Sequence, residues 1–164
     1  MIGHYAKPVA AKVRERRVAS ASAVTVSGAI PDGWFDKTMI VYSAPLQPGQ
    51  AVAANIVIAR DAMGASETFR EYCNRQIDGF ATALPHFHRL HEEPGRVHDL
   101  DAFQIMFTWM SGAGLLRQRV FFISAGAGVV VTYTATASDA EYDSHGPVFD
   151  QGLAGLVIAP HQRH

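Results

Sequence analysis

Two stretches of this chain, residues 103–109 and 116–123, carry bulky apolar side chains in both parities of a strand. One parity of the first stretch holds Phe103, Ile105, Phe107 and Trp109. A strand with one face in water alternates apolar with charged residues, because successive side chains point to opposite faces. The second parity here reads Gln104, Met106 and Thr108, then Gln118, Val120 and Phe122. That is neither a dry core nor a solvated surface. A mixed face of this kind suits a greasy, hydrogen-bonding groove on a sheet.

Around these two strands the rest of the chain falls into short elements. Strands are expected at 18–26, 38–43, 54–60, 86–92 and 129–137, besides the two aromatic-rich ones. Residues 66–84 carry a helical stripe of Phe69, Tyr72, Cys73, Gln76, Ile77, Phe80 and Leu84. Ser66 is the expected N-cap and Pro85 the stop. Pro31-Asp32-Gly33 marks a turn, with Trp34 beyond it as an expected plug at one end of the sheet. Pro94-Gly95 is read as the link out of strand 86–92, and Ala125-Gly126-Ala127-Gly128 as a tight hairpin. Ser138-Asp139-Ala140-Glu141 has the form of a capping box opening a closing helix, which Gly146-Pro147 kinks or divides. The order is β-β-β-α-β-β-β-β-α. Hairpin-length links predict an α+β fold, a mainly antiparallel sheet with two helices packed on one face.

The length of 164 residues suits one domain with a core that needs no staples. Its organisation is read as a disordered basic extension over 1–17, one domain over 18–158 and a tail over 159–164. Only 18% of residues are charged, which leaves more apolar surface than usual and favours a partner or an oligomer. The formal net charge of −1 argues against nucleic acid. Lys7, Lys12, Arg14, Arg16 and Arg17 against Glu15 give the first 17 residues +4, leaving −5 for the rest. That basic start is not followed by an apolar run of signal length, and no segment reaches the roughly 18–20 apolar residues of a membrane span. The expected location is the cytoplasm, without direct membrane insertion.

Candidate chemistry is sparse. His86 and His88 share a parity and could chelate, but His91 falls on the other face unless the strand bends, so solvated edge-strand histidines are the expectation and no metal site is assigned. No nucleophile elbow, P-loop or dinucleotide-binding glycine motif follows a strand and opens a helix. Cys73, the single cysteine, sits on the helical stripe and reads as a small buried hydrophobe. The chain is therefore expected to be no enzyme and to need no cofactor.

The run Ile30-Pro31-Asp32-Gly33-Trp34-x-Asp36-x-Thr38-Met39 resembles the opening of the DcrB-like family. So do Asn55 through Asp61, Glu71-Tyr72 with Gln76, Phe107-x-Trp109, Leu116-x-Gln118, Val120-Phe121-Phe122 and Thr132 through Thr136. These matches fall in order from residue 29 to about 158. Within that family the chain is similar to Eag chaperones of the bacterial type VI secretion system. The resemblance implies a homodimer of PsbP-like fold that shields the N-terminal transmembrane helices of an effector in a hydrophobic groove. It also implies a role for Gln76. The lipoprotein branch of the family carries a signal and a lipidated cysteine, and the basic start is a departure from the pattern.

Strand parity gives the groove its expected residues. Met39, Val41, Ile56, Ile58, Phe103, Ile105, Phe107, Trp109, Val131 and Tyr133 are assigned to the helix-covered face. The groove then takes Ile40, Tyr42, Val57, Ala59, Gln104, Met106, Gln118, Val120 and Phe122, with Gln76 reaching in from the first helix. Thr108, Thr132 and Thr134 share that parity. The alternative reading is a homodimeric binding or scaffold module without chaperone activity, in which the same face is dimer interface.

Overall fold

The computed structural model describes residues 28–159. The strand expected at 18–26 and the basic extension over 1–17 lie outside them. The chain divides after Phe35 into two compact units. In the described part of the first, a turn at Pro31-Asp32-Gly33 closes with the Trp34 N–H donating to the Pro31 carbonyl at 3.0 Å, and Gly33 takes a φ of 78°. Trp34 is exposed and fills no core.

The second unit is an antiparallel α+β domain. Its elements are β1 (Met39–Ser43), β2 (Asn55–Ala62), α1 (Phe69–Ala83), β3 (His88–Val97), β4 (Leu100–Ser111), β5 (Gly114–Gly126), β6 (Val129–Ser138) and α2 (Tyr142–Ala154). The sheet order is β1-β2-β6-β5-β4-β3. Three hairpins link β3 through β6, and the last turns at Ala127-Gly128, both at positive φ, the geometry a two-residue antiparallel link prefers. The strand expected to end at 92 continues through Pro94-Gly95 to Val97. It is an edge strand, where a proline leaves no ladder bond unmade.

The two helices take opposite faces rather than one. Tyr72, Cys73 and Ile77 of α1 pack with Phe103, Ile105, Phe107, Val120, Phe122 and Val130. Tyr142 and Phe149 of α2 pack with Ile56, Phe121, Ile123, Val131, Tyr133, Ala135 and Ala137. Consecutive pairs such as Phe121/Phe122 and Val130/Val131 thus serve two cores. The physical reason lies in the central strands: both parities are apolar, so each face must be covered. Each large side chain buried in this way stabilises the fold by about 1.5–3 kcal/mol.

The caps also differ from expectation. Thr68, not Ser66, caps α1 in a full capping box: its Oγ1 accepts from the Glu71 N–H at 3.3 Å, and the Glu71 carboxylate accepts from the Thr68 N–H at 2.8 Å. At the other helix Ser138 is still the last residue of β6, and Glu141 takes the cap position with no side-chain cap bond. Pro147 sits inside α2 without dividing it. Arg117 of β5 pairs with Asp139 in the β6–α2 link at 2.8 Å and with Asp143 of α2 at 3.1 Å, and Arg119 pairs with Asp150 of α2 at 3.3 Å. The Tyr133 hydroxyl donates to the Phe149 carbonyl at 2.7 Å.

Candidate functional site

On the α1 face, the helix lies over β4 and β5, reaches Val130 of β6 and Asp61 of β2 at one end, and leaves the rest of that half of the sheet without a described helix. Phe80 packs on Phe107 with ring centroids 5.3 Å apart, and Tyr72 meets Phe122 edge-on at 6.0 Å. Beyond them the same face continues across β6, β2 and β1. The register places Val120 beside Thr134, Thr134 beside Val57, and Val57 beside Val41. Facing pairs on antiparallel strands point the same way, so Thr132, Thr134, Val57, Ala59, Met39 and Val41 share the α1 side. Met39 and Val41 are 61% and 57% exposed, whereas Val120 and Phe122 beneath the helix are 2% and 1%. The open strip and the helix flank form a cleft of about 410 Å³, lined by Met39, Ala59, Gln76, Phe80, Val120, Phe122, Thr132 and Thr134.

The width of that strip matters. Three strands at ~4.8 Å spacing put the outer two about 10 Å apart, which is one helix diameter. The six-stranded face therefore has room for two helices side by side, and the described chain lays one there.

Charged groups gather at one end of the cleft. Lys37 pairs with Asp61 at 3.2 Å, and the Tyr72 hydroxyl donates to the same carboxylate at 3.0 Å. Partial burial pushes the Asp61 carboxyl up, but bonds from the Ala62 N–H, Tyr72 and Lys37 outweigh it and hold the group below its ordinary value. Burial, and then donation to Asp61, push the Tyr72 phenol well above its usual range, so it remains a donor. At the other end the Trp109 indole N–H donates to Gln118 at 2.6 Å, and the Gln118 amide donates to Thr136 at 2.9 Å. Gln76, Thr132 and Thr134 are half-buried, and among the described residues their side chains make no hydrogen bond.

Of the ten expected groove residues, Val57, Ala59, Gln76, Gln118, Val120 and Phe122 lie on the α1 side. Val120 and Phe122 are core beneath α1, and Gln118 is tied between Trp109 and Thr136. The other four lie on the α2 side. Met106 packs against the α2 core, and Gln104 accepts from Arg119 at 2.8 Å and donates to Glu93 at 2.5 Å. Ile40 and Tyr42 are exposed there, next to Ile58 and Ile56 in register. Met39 and Val41, expected beneath the helices, are on the open strip instead. The error is one of parity, across the 44–54 link for Ile40 and Tyr42 and across the β4–β5 hairpin for Gln104 and Met106: alternation cannot relate one strand to the next when both parities are apolar. Val131, Tyr133, Ile56 and Ile58 are covered by α2, so the expected helix-covered set was drawn from both faces.

A bulge between Arg89 and His91 brings His88 and His91 to one side of β3, opposite Thr108 and Met106. His91 lies 3.3 Å from Glu93. Among the described residues no three His, Cys, Asp or Glu side chains gather at metal-binding spacing. Cys73 is fully buried, and burial pushes its thiol up to about 11, which removes thiolate character at neutral pH. No helix among the described residues is long and apolar enough to cross a membrane.

Comparison with solved structures places this geometry among known relatives. A Pseudomonas aeruginosa protein of unknown function, PA94, described as a candidate regulator, is 27% identical over 80% of this chain and 90% of its own, with a TM-score of 0.71. LpqN of Mycobacterium tuberculosis, described as involved in cell envelope biogenesis, is 19% identical over 69% of this chain and 68% of its own, at a TM-score of 0.51. The PsbP protein of Synechocystis is 8% identical over 80% of this chain and 98% of its own, at 0.50, which makes the fold PsbP-like. No curated protein matches the chain. The sequence model of the DcrB family matches residues 28–154, and the chain belongs to that family.

Proposed function

We propose that this protein is a cytoplasmic chaperone and adaptor that shields the N-terminal transmembrane helices of a type VI secretion effector. The observation that carries the reading is the helix-wide apolar strip beside α1. An apolar helix makes its own backbone hydrogen bonds, so its exposed side chains are what water penalises, at roughly 25 cal/mol per Å². Met39, Val41, Val57 and Ala59 supply apolar cover, and Phe80 forms one wall. Gln76, Thr132 and Thr134 offer hydrogen-bonding groups not engaged within the described chain. They suit carbonyls left accessible by small residues on a client helix. The partners under this reading are the effector's apolar helices and a second copy of the chain, and the protein performs no chemistry on either.

The test is co-expression of the full chain with an effector carrying N-terminal apolar helices. Val57→Asp places a carboxylate in the strip and is expected to lower effector abundance several-fold while the chaperone keeps its circular dichroism spectrum. Val148→Asp, on the exposed surface of α2, is the control and leaves effector levels unchanged. Wild-type effector levels with Val57→Asp refute the groove.

A further inference from the structure

We infer that a pocket on the α2 side of the sheet binds an unbranched aliphatic chain ending in a carboxylate, with Arg60 holding the head. The pocket encloses about 240 Å³ between β1, β2, β6 and the segment 156–159 that follows α2. Ile40, Ile58, Val131, Leu156 and Ile158 form its walls, and apart from Arg60 and Thr38 every lining side chain is aliphatic. The register explains the grouping. Ile40 stands opposite Ile58 and Arg60 opposite Val131, so all four point to the α2 side, away from the cleft beside α1. α2 ends at Ala154, and the chain beyond it supplies the roof. Leu156 and Ile158 turn inward onto the α2-side core while Val157 is 84% exposed. His98 Nε2, 2.9 Å from the Leu156 carbonyl, anchors the start of this segment.

Volume and chemistry together select the ligand. An apolar cavity of roughly 150 Å³ takes one benzene ring, so 240 Å³ has room for about ten carbons. Walls of aliphatic side chains leave the amides of a peptide unmatched but suit a hydrocarbon, which needs no partner. Arg60 is the one charged residue lining the pocket among the described residues. Its guanidinium pairs with Asp36, whose carboxylate also accepts the Thr38 N–H at 2.8 Å. A guanidinium presents five N–H donors in a fork, so one carboxylate does not exhaust it, and the Arg60 side chain is 46% exposed. A ligand carboxylate can share the fork by charge-assisted bonds. Asp36 is its competitor there, and so weakens the site.

This pocket goes beyond the groove reading and does not rest on it, because the two lie on opposite sides of the sheet.

The experiment titrates decanoate into the isotopically labelled full chain and follows its amide shifts. Saturable shifts are expected at Ile58, Val131 and Leu156, with none at Gln76 or Thr134. Each methylene removed from the ligand is expected to weaken binding about four-fold. Arg60→Gln is expected to weaken decanoate at least about ten-fold and to leave decanol unchanged. Asp36→Asn keeps the acceptor for Thr38 but frees the guanidinium, and is expected to tighten decanoate. Ile40→Trp, on the exposed rim of the pocket, fills the space and abolishes binding, whereas Met39→Trp, on the cleft side, does not. Five results overturn the proposal: no saturable shift, shifts centred on Gln76 and Thr134, loss of binding with Met39→Trp, no tightening with Asp36→Asn, or a tri-leucine peptide that binds as tightly as decanoate.

Discussion

Gly152→Ala in α2 is expected to destabilise the protein, against the ordinary trend for a helical glycine. In an open helix position the change gains about 0.8–1 kcal/mol from restricted unfolded-state freedom. At Gly152 an added Cβ would stand 2.5 Å from the Tyr133 hydroxyl and 2.9 Å from Ile56 Cδ1. Neither neighbour gives way easily. Tyr133 is 1% exposed and its hydroxyl is bonded to Phe149, and Ile56 is 8% exposed in the same core. Overpacking of this kind costs about 1–3 kcal/mol, and a displaced buried hydroxyl a further ~1–3 kcal/mol. Set against the propensity gain, the net loss is about 3 kcal/mol at the middle of these ranges. In urea, at a slope of about 2 kcal/mol/M, the midpoint falls by roughly 1.5 M. Gly79→Ala in α1, where a Cβ meets nothing within 4 Å, is the control and is expected to raise stability. Adding Tyr133→Phe to Gly152→Ala removes the closest contact, so the double variant is expected to lose less than the two single losses combined. If Gly152→Ala matches or exceeds the wild-type midpoint, α2 does not pack on β6 and β2 as described.

Two further outcomes follow from α1. Thr68→Ala removes the cap accepting from Glu71 and is expected to cost about 1 kcal/mol in chemical denaturation, with faster amide exchange confined to the first turn. The hydrogen bond from Arg75, with help from the Gly64 N–H, holds the Glu67 carboxyl at about 2 rather than 4.5. A carboxyl depressed in the folded state stabilises it above the unfolded value, and that contribution fades as pH falls from about 4.5 to about 2. Stability measured from pH 5 to pH 2 is therefore expected to fall less steeply in Arg75→Gln, and an unchanged slope refutes the pairing.

Much of the fold was legible because periodicity and turn chemistry act locally. The α1 stripe of Tyr72, Cys73, Ile77 and Phe80 is local, and so is the hairpin at Ala127-Gly128; both stand where expected. The cap was also legible, since Thr68 has a glutamate three residues on while Ser66 has Phe69. What alternation cannot carry is the parity of one strand relative to the next: it groups Gln104 and Met106 with Val120 and Phe122, whereas the β4–β5 ladder sets Ile105 opposite Val120 and Phe103 opposite Phe122. Phe121 and Phe122 are equally apolar, so no local rule says which faces α1. With β2 feeding α1 across to the far edge strand β3, and α2 returning after β6, each helix took the face its own connection reached. The site inherited that ambiguity: Ile40 and Val57 were grouped together although the ladder turns them to opposite sides.

The polar residues of the α1 face divide by position, and the division bears on what a ligand can read there. Trp109, Gln118 and Thr136 form a closed row across β4, β5 and β6, so their hydrogen-bonding capacity is spent within the sheet. Lys37, Asp61 and Tyr72 close the opposite end in the same manner. Between these ends lie Gln76, Thr132 and Thr134, flanked by Ala59, Met39 and Phe80. A buried polar group left without a partner costs about 1–3 kcal/mol, so a ligand covering these three must either bond them or leave water in the cleft. A featureless apolar helix does neither well. A helix with glycine, serine or alanine on its inward side brings its backbone close enough to satisfy them, and Met39 adjusts to the remaining side chains. Under the proposed chaperone reading, selectivity at this strip rests on small residues spaced along one side of the client helix, more than on its overall hydrophobicity.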